Sequence, residues 1–261
     1  MSEAVEIRSC HELRDFHACV ALQREIWGEA DLEVEPATMF VVAAHTGGQV
    51  IGAFAGGVLV GFVLAVAGVR DGTPYLHSHM AGVRDGYRDQ GLGRKLKLFQ
   101  RDEALQRGIG LVEWTFDPLE VRNAHFNFNR LGAISRKYLP NLYGVTTSPL
   151  HRGLRTDRLL AEWHLEDPCV IAKITSASGA ATTTHSAKTE GVALKDVDNR
   201  LISVPASVPY GVGGDISVAT ALQDRLRNEF TQAFEDGYVA VGVAMSENPA
   251  YVLKRADRVS L

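Results

Sequence analysis

The sequence predicts an α/β fold of the layered α+β kind: a mixed sheet flanked by helices, with a small α/β appendage at the C-terminal end. Three observations predict it. Strand-like and helix-like periodicities alternate over roughly residues 1–167, a glycine-containing connection joins a strand to an amphipathic helix near residues 83–94, and the composition changes after Pro168.

Val5 to Arg8 reads as a short strand, and Ser9 followed by Glu12 has the spacing of a capping box for the next helix. In that helix Leu13, Phe16, Val20 and Trp27 recur near helical spacing. Pro36 opens a second helix, Thr38 to His45, closed by Thr46-Gly47-Gly48. Val50 to Val69 then carries no formal charge over twenty residues, long enough to span a bilayer if helical. Four glycines weaken a helix there, however, and Gly56-Gly57 suits a two-residue turn, so the segment is expected to be a hairpin of strands Val50–Phe54 and Val58–Val69. Tyr75–Val83 is a further strand after the turn Arg70-Asp-Gly-Thr-Pro74. A helix runs from Gly91 to Gly108 with Leu92, Leu96 and Phe99 on one face, and Glu103 falls on that same face without a sequence explanation. A strand at Leu111–Phe116, a short helix at Asn123–Leu131 stopped by Gly132, and strands near Ile134–Leu139 and Leu159–Glu166 complete the layer.

Beyond it, Thr175 to Gly191 is rich in Ala, Ser and Thr and reads as flexible. The expected organisation is a main domain at 1–167, a linker at 168–190 and an α/β extension at 191–261. In the extension Val218, Leu222, Leu226, Phe230 and Phe234 form a helical stripe, flanked by strands at Leu201–Pro205, Tyr238–Val243 and Tyr251–Leu253. A segment this short is expected to pack on the main domain or on a partner subunit, which leaves room for a homodimer.

Composition narrows the function classes. With 46% hydrophobic and 22% charged residues and a net charge of −4, the chain is globular and lacks the basic footprint of a nucleic-acid binder. Its three cysteines include no CxxC pair, which argues against a disulfide framework and for a reducing compartment. The opening residues lack a signal-peptide layout. A cytoplasmic protein without membrane association is expected, and no His/Asp/Glu set has metal-ligand spacing.

The most informative stretch is Met80-Ala-Gly-Val-Arg-Asp-Gly-Tyr-Arg-Asp-Gln-Gly-Leu-Gly-Arg94. A strand ends at Val83 and a helix starts after a loop holding Arg88, Asp89, Gln90, Gly91, Leu92 and Gly93. Unpaired amides at a helix start, with the helix dipole, make an anion site. Gly91 and Gly93 admit a pyrophosphate without Cβ clashes, and Arg94 adds charge at the mouth. The Walker and dinucleotide-binding glycine patterns are both absent.

Val83, Tyr87 and Arg88-Asp-Gln-Gly-Leu-Gly93 resemble the coenzyme A loop of the GNAT acyltransferases, and the order and spacing of the elements through Gly132 resemble that superfamily too. The resemblance covers about residues 1–167. It implies an acyl-CoA-dependent N-acyltransferase using acetyl-CoA or another acyl-CoA, with a small-molecule amine as acceptor. It also implies that the loop amides hold the pyrophosphate, that the backbone of Ala81, Gly82 and Val83 pairs with the pantetheine, and that Asn123 lies beside the pantetheine or thioester. Trp114-Thr-Phe-Asp-Pro-Leu119, Asn141-Leu-Tyr-Gly144 and Thr156-Asp-Arg-Leu159 resemble a bacterial GNAT subfamily, some of whose relatives are similar to amino-acid N-acyltransferases, including succinyltransferases.

His77 and His79, two apart on the strand leading to the loop, share a face and are candidates to relay the amine proton to water. The pair resembles the His-x-His of arylalkylamine N-acetyltransferases. Glu113 is a second candidate base. Many GNAT enzymes carry a tyrosine four residues before the glycine that ends the short helix; here Phe128 stands there and donates no proton, so Asn127, Asn129, Tyr138, Tyr143 or solvent has to serve the thiolate. Arg152, Arg155 and Arg158, in the loop between the last two strands, are candidates to grip a carboxylate. Two rival classes remain at this point: a non-catalytic acyl-CoA sensor and a protein-modifying acetyltransferase.

Overall fold

Strand β1 (Val5–Ser9) leads through Cys10 into helix α1 (Leu13–Trp27), and helix α2 (Ala37–His45) starts behind Pro36. In the computed structural model, which describes residues 4–28, 33–144, 146, 153–176, 198–206 and 216–259, strands β2 (Gln49–Ala55), β3 (Val58–Arg70) and β4 (Thr73–Val83) follow, then helix α3 (Leu92–Gln106) and strand β5 (Leu111–Phe116). Tight turns join the three central strands. Gly56 and Gly57 have φ of 53° and 80°, and Asp71 and Gly72 have φ of 50° and 78°. Left-handed values at both turn residues match the twist of the flanking strands. Val50–Val69 is therefore a hairpin. Among the described residues no helix is long and apolar enough to cross a membrane.

Strands β1 to β4 pair antiparallel in sequence order, and β5 joins β4 in parallel through Leu76↔Val112 and His77↔Glu113. The sheet is mixed, with helices on both faces. Alternate strand residues divide between two cores. On one face Phe16, Cys19 and Leu22 of α1 and Phe40 of α2 pack with Phe54, Phe62 and Leu64. On the other, Leu92 and Leu96 of α3 pack with Ile51, Ala53, Val60 and Val63.

The capping box expected at Ser9 and Glu12 does not form. Glu12 takes the N-cap position of α1 without a side-chain hydrogen bond. Ser9 is held in the β1 ladder opposite Ile51, and its hydroxyl donates to Glu103 Oε2 at 2.8 Å. Strand pairing has outcompeted the local cap, and the same bond gives Glu103 its reason to face inward.

The chain folds as two compact units, the first essentially residues 1–114, the second within 115–146 and 153–261. The second unit opens with helix α4 (Val121–His125), which widens into one π-helical turn at Phe126–Arg130. Strands β6 (Tyr138–Leu139) and β7 (Arg158–His164) pair antiparallel. Of the rest of the strand expected at 134–139, Ile134 is bridged to Glu162 and Ser135 to Ala240. Helix α5 (Pro168–Ser176) occupies the start of the expected linker, and residues 177–190 of that linker lie outside the described residues. Asp167 starts α5, its Oδ1 accepting the amides of Cys169 and Val170, and Val170 and Ile174 bury one side of it.

Strand β8 (Arg200–Ser203), helix α6 (Ile216–Glu235) and strands β9 (Tyr238–Ala244) and β10 (Ala250–Arg255) follow, with a three-stranded sheet in the order β8-β10-β9. They share a core with the start of the unit. Phe230 packs on Tyr251 at 5.0 Å and Tyr138 at 5.9 Å between ring centroids, and Phe128 packs edge-on against Phe116 and Tyr251. The α6 stripe differs from expectation. Val218 is 51% exposed, and the buried face runs through Ala219, Gln223, Leu226, Phe230 and Ala233. A strict repeat of four drifts around a helix of 3.6 residues per turn, so only the middle of that stripe faces inward.

Phe230 is fully buried between three other rings, those of Tyr138, Phe234 and Tyr251. Truncation in Phe230→Ala is expected to cost about 3–5 kcal/mol, read as a lowered denaturant midpoint. A loss below about 1 kcal/mol would show that this core is not the one that holds the unit.

Candidate active site

Strand β4 ends in the glycine-containing loop, and its path there is bent. Leu64 pairs with Met80 and Ala65 with Ser78, so His79 is an extra residue, a β-bulge. Ser78 turns towards α3, and His77 and Met80 lie on the other side of the strand, with Met80 against the α1–α2 core. The parallel ladder with β5 runs through Leu76 and His77. From His79 to Val83 no strand among the described residues pairs with the β5 side of β4, an edge that suits an extended ligand. Ala81 is exposed, Gly82 is buried and Val83 half-buried. A side chain at Gly82 would meet Ile26 Cδ1 at 2.9 Å, which explains the glycine.

The loop closes on itself. Arg88 donates from Nε to Val83 O at 3.0 Å and pairs with Asp85 at 2.6 Å, and Gln90 donates from Nε2 to Gly86 O at 2.9 Å. Asp89 is held at φ 58° and Gly91 at φ 75°. Gly91 is the N-cap of α3 and brings no side-chain cap, so the first amides of the helix point outward without one. A Cβ built at Gly91 meets nothing within 4 Å, and one at Gly93 meets only Val83 Cγ2 at 3.9 Å. Leu92 is buried and anchors the turn, while Arg94 is half-buried. The amides, the open approach and the dipole of a fifteen-residue helix fit a pyrophosphate. The side chains of Arg88 and Gln90 serve the loop's shape. Beside the loop is a cavity of ≈480 Å³ lined by Val5, Tyr87, Gln90, Leu92 and Lys95 among others.

The two histidines each face a carboxylate. Glu113 is 3% exposed and receives both Arg70 nitrogens, Nη1 to Oε2 at 3.0 Å and Nη2 to Oε1 at 2.9 Å. His77 Nδ1 lies 3.8 Å from Glu113 Oε1, an electrostatic separation rather than a direct hydrogen bond. Burial pushes the Glu113 carboxyl up, but His77 and Arg70 together hold it below the usual carboxylate range. His79 Nε2 meets Glu35 Oε1 at 3.0 Å, and the imidazole centroids are 6.5 Å apart. Glu113 is thus a charged partner of His77, and the bidentate arginine removes it as a base.

In the second unit Asn123 is exposed on α4. Phe128 is fully buried between Phe116 and Tyr251, so it only packs. Asn129 is tied at both ends of its amide to the Val243 backbone, at 3.1 and 2.9 Å. Tyr138 donates to Asp157 at 2.9 Å, and burial raises its phenol pKa far out of reach of a proton donor. Tyr143, 47% exposed, shares a 2.9 Å hydrogen bond with Thr115 Oγ1. Of the three arginines, Arg152 lies outside the described residues, Arg155 pairs with Asp224, and Arg158 approaches Asp117 at 3.7 Å.

Sequence reasoning missed a buried cation. Lys97 on α3 is 5% exposed and donates to Ser78 Oγ at 2.8 Å and Gln100 Oε1 at 3.0 Å, with its ammonium 4.0 Å from the Trp114 ring centroid. Gln100 in turn donates to Gln49 Oε1 at 3.1 Å. The only sequence signal is that Lys97, Gln100 and Ala104 lie on one helical face. Among the described residues no group of three or more His, Cys, Asp or Glu is placed to hold a metal ion.

Residues 12–132 match the acetyltransferase (GNAT) family. No curated protein matches the sequence. Several solved structures match its fold. The ribosomal-protein-S18-alanine N-acetyltransferase of Escherichia coli is 18% identical with a TM-score of 0.50, covering 62% of this chain and 94% of its own. A Salmonella typhimurium protein solved with its cofactor acetyl-CoA is 20% identical with a TM-score of 0.50, covering 62% and 95%. An N-acetyltransferase of Staphylococcus aureus is 15% identical with a TM-score of 0.50, covering 62% and 99%.

Burial lowers the Lys97 amine to about 7, below its free value. Between that value and about 10.5 the unfolded chain binds the proton that the folded chain releases, so stability rises with pH across this window. Thermal unfolding from pH 7 to 10 is expected to show a slope of about 1 kcal/mol per pH unit that Lys97→Met removes. Identical pH profiles for the two proteins would refute the assignment.

Proposed function

We propose that the protein is an N-acetyltransferase that moves an acetyl group from acetyl-CoA to the amine of a small molecule, amino acids among the acceptors, with succinyl-CoA the second donor to test. The observation that carries this reading is the chain Arg70–Glu113–His77 on three adjacent strands, the central one of which leads directly into an anion-accepting loop. When bound, acetyl-CoA supplies an acyl thioester whose C–S bond gives way to a C–N bond with the amine.

The residues of the chain have these roles in the proposal. The amides from Gly91 to Arg94 bind the pyrophosphate, and the backbone of Ala81 to Val83 aligns the pantetheine arm as an added strand. His77 takes the proton from the acceptor's ammonium so that the neutral amine attacks the thioester carbonyl, and the Glu113 charge stabilises the imidazolium that results. His79, paired with Glu35 and about one-third exposed, passes the proton to water. Phe128 offers no proton, so the departing thiolate is protonated by solvent.

One observation favours a second reading. The buried Phe128 is what a non-catalytic acyl-CoA sensor would tolerate. Release of free thiol from acetyl-CoA or succinyl-CoA, followed with a chromogenic disulfide over a panel of amino acids and arylalkylamines, separates the two. An enzyme releases thiol with at least one donor–amine pair. Binding of coenzyme A by calorimetry without release from any pair would make the protein a sensor or direct it to a protein acceptor. With the active pair in hand, His77→Gln is expected to lower kcat by about 100-fold or more, leaving KM for acetyl-CoA near its original value. Full turnover in both His77→Gln and His79→Gln would end the relay.

A further inference from the structure

Behind the Arg70–Glu113–His77 chain lies a second buried polar group, entirely within the first unit. Trp114 follows Glu113 on β5, so the two side chains take opposite faces: Glu113 towards Arg70 and His77, Trp114 towards α3. Lys97 reaches from α3 to this point. Its Nζ donates to Ser78 Oγ at 2.8 Å and to Gln100 Oε1 at 3.0 Å, and lies 4.0 Å from the Trp114 ring centroid. Ser78 Oγ donates in turn to Gln100 Oε1 at 3.3 Å. Gln100 and Gln49 of β2 exchange two hydrogen bonds, Gln100 Nε2 to Gln49 Oε1 and Gln49 Nε2 to the Gln100 carbonyl, both at 3.1 Å.

This is a costly place for a lysine. Lys97 is 5% exposed, and among the described residues no carboxylate pairs with it, so burial alone brings its amine down to about 7. An apolar side chain of similar length would fill the position without that cost. Nor do the neighbours need it for their own hydrogen bonds, since Ser78 reaches Gln100 and Gln100 reaches Gln49 without it. What Lys97 adds is a fixed position for Ser78.

Ser78 stands between the two histidines and borders the bulge. Ala65 pairs with Ser78 and Leu64 with Met80, which leaves His79 as the extra residue. A bulge slipped by one position would set His79 opposite Ala65 in place of Ser78, turned towards α3. Lys97 would then meet an imidazole instead of a hydroxyl already tied to Gln100. In the observed register His79 meets Glu35 at 3.0 Å, and the imidazole centroids of His77 and His79 are 6.5 Å apart.

We propose that Lys97 is a positioning residue for the reaction: by holding Ser78 against α3 it sets the register of the β4 bulge, and with it the placement of His77 and His79. The same side chain joins the three elements that carry the chemistry, namely α3 with the anion-accepting amides at its start, β4 with the histidines and β5 with Glu113. This assignment rests on the amine-acylation reading, in which the two histidines pass the amine proton to water.

The test compares Lys97→Met, Ser78→Ala and Ser78→Thr in the full chain, with the donor–amine pair that releases most thiol. Lys97→Met is expected to lower kcat about 10-fold or more in a folded protein, with KM for acetyl-CoA near its original value. Ser78→Ala is expected to match that loss, and Ser78→Thr, which returns the hydroxyl, to recover part of it. The losses in Lys97→Met and Ser78→Ala are expected not to add in the double variant, because both break one contact. Independently of turnover, the imidazole NMR resonances of His77 and His79, assigned from His77→Gln and His79→Gln, are expected to move in Lys97→Met while those of His11 and His45 stay in place. An unchanged kcat in Lys97→Met, additive losses, or a loss confined to KM for acetyl-CoA overturns the positioning role and leaves amine acylation intact. Should Lys97→Met not fold, Ser78→Ala against Ser78→Thr decides on the same readouts. If no donor–amine pair is turned over, amine acylation fails and the resonances decide: movement at both histidines supports the hold of Lys97 on the bulge, and unmoved resonances overturn it.

Discussion

The first unit is organised around one buried negative charge. Glu113 sits on β5 at 3% exposure, where an unpaired carboxylate would be too costly to keep ionised. Arg70, from the end of β3, crosses over β4 to meet both its oxygens, and His77 on β4 faces the same carboxylate. Three adjacent strands are thereby tied by one charge, at the end of the β4–β5 ladder. The stability this pairing contributes is present above the ordinary carboxylate pKa and is lost as pH falls through the lower value that Glu113 has in the folded protein. Structure and proposed chemistry here draw on a single interaction.

The second unit has a comparable centre in Asp157. It is fully buried and accepts hydrogen bonds from Tyr138, the Asn141 amide and Arg227. Those bonds hold its carboxyl below the usual range although burial acts the other way. The consequence is that α6, near the C-terminal end of the sequence, fixes the conformation of the loop after β6. Gln223 adds to this by donating to Arg155 O at 2.8 Å. The C-terminal residues therefore complete the second unit, sharing its aromatic core and its charge network.

What the sequence made legible was local. Gly56-Gly57 announced a hairpin because two left-handed residues in succession are what such a turn needs, and Leu92, Leu96 and Phe99 announced α3 by spacing alone. The loop from Val83 to Gly93 was legible because strand, glycines and helix start follow one another directly in the chain. What was hidden depended on distant partners. Nothing near Arg70 in the sequence points to Glu113, forty-three positions on. Ser9 looked like a helix cap because its competing partners, Ile51 and Glu103, are remote. Lys97 gave no sign of burial, since a lysine on an amphipathic helix is usually solvated. Helix α5 is masked in the sequence by the Ala, Ser and Thr content that follows it, although Asp167-Pro168 is a good helix start. The π-turn after α4 keeps helical periodicity for most of its length and so read as ordinary helix.

The most direct measurement of the central claim, that the buried charge serves the reaction as well as the fold, is steady-state turnover of Glu113→Gln with thermal unfolding recorded on the same sample. The amide keeps the shape of the side chain and removes its charge. The account predicts that kcat falls by about 10- to 100-fold while KM for acetyl-CoA is preserved and the protein remains folded. Unchanged kcat in a protein that only melts at a lower temperature would contradict it, and would reduce Arg70–Glu113 to a structural ion pair.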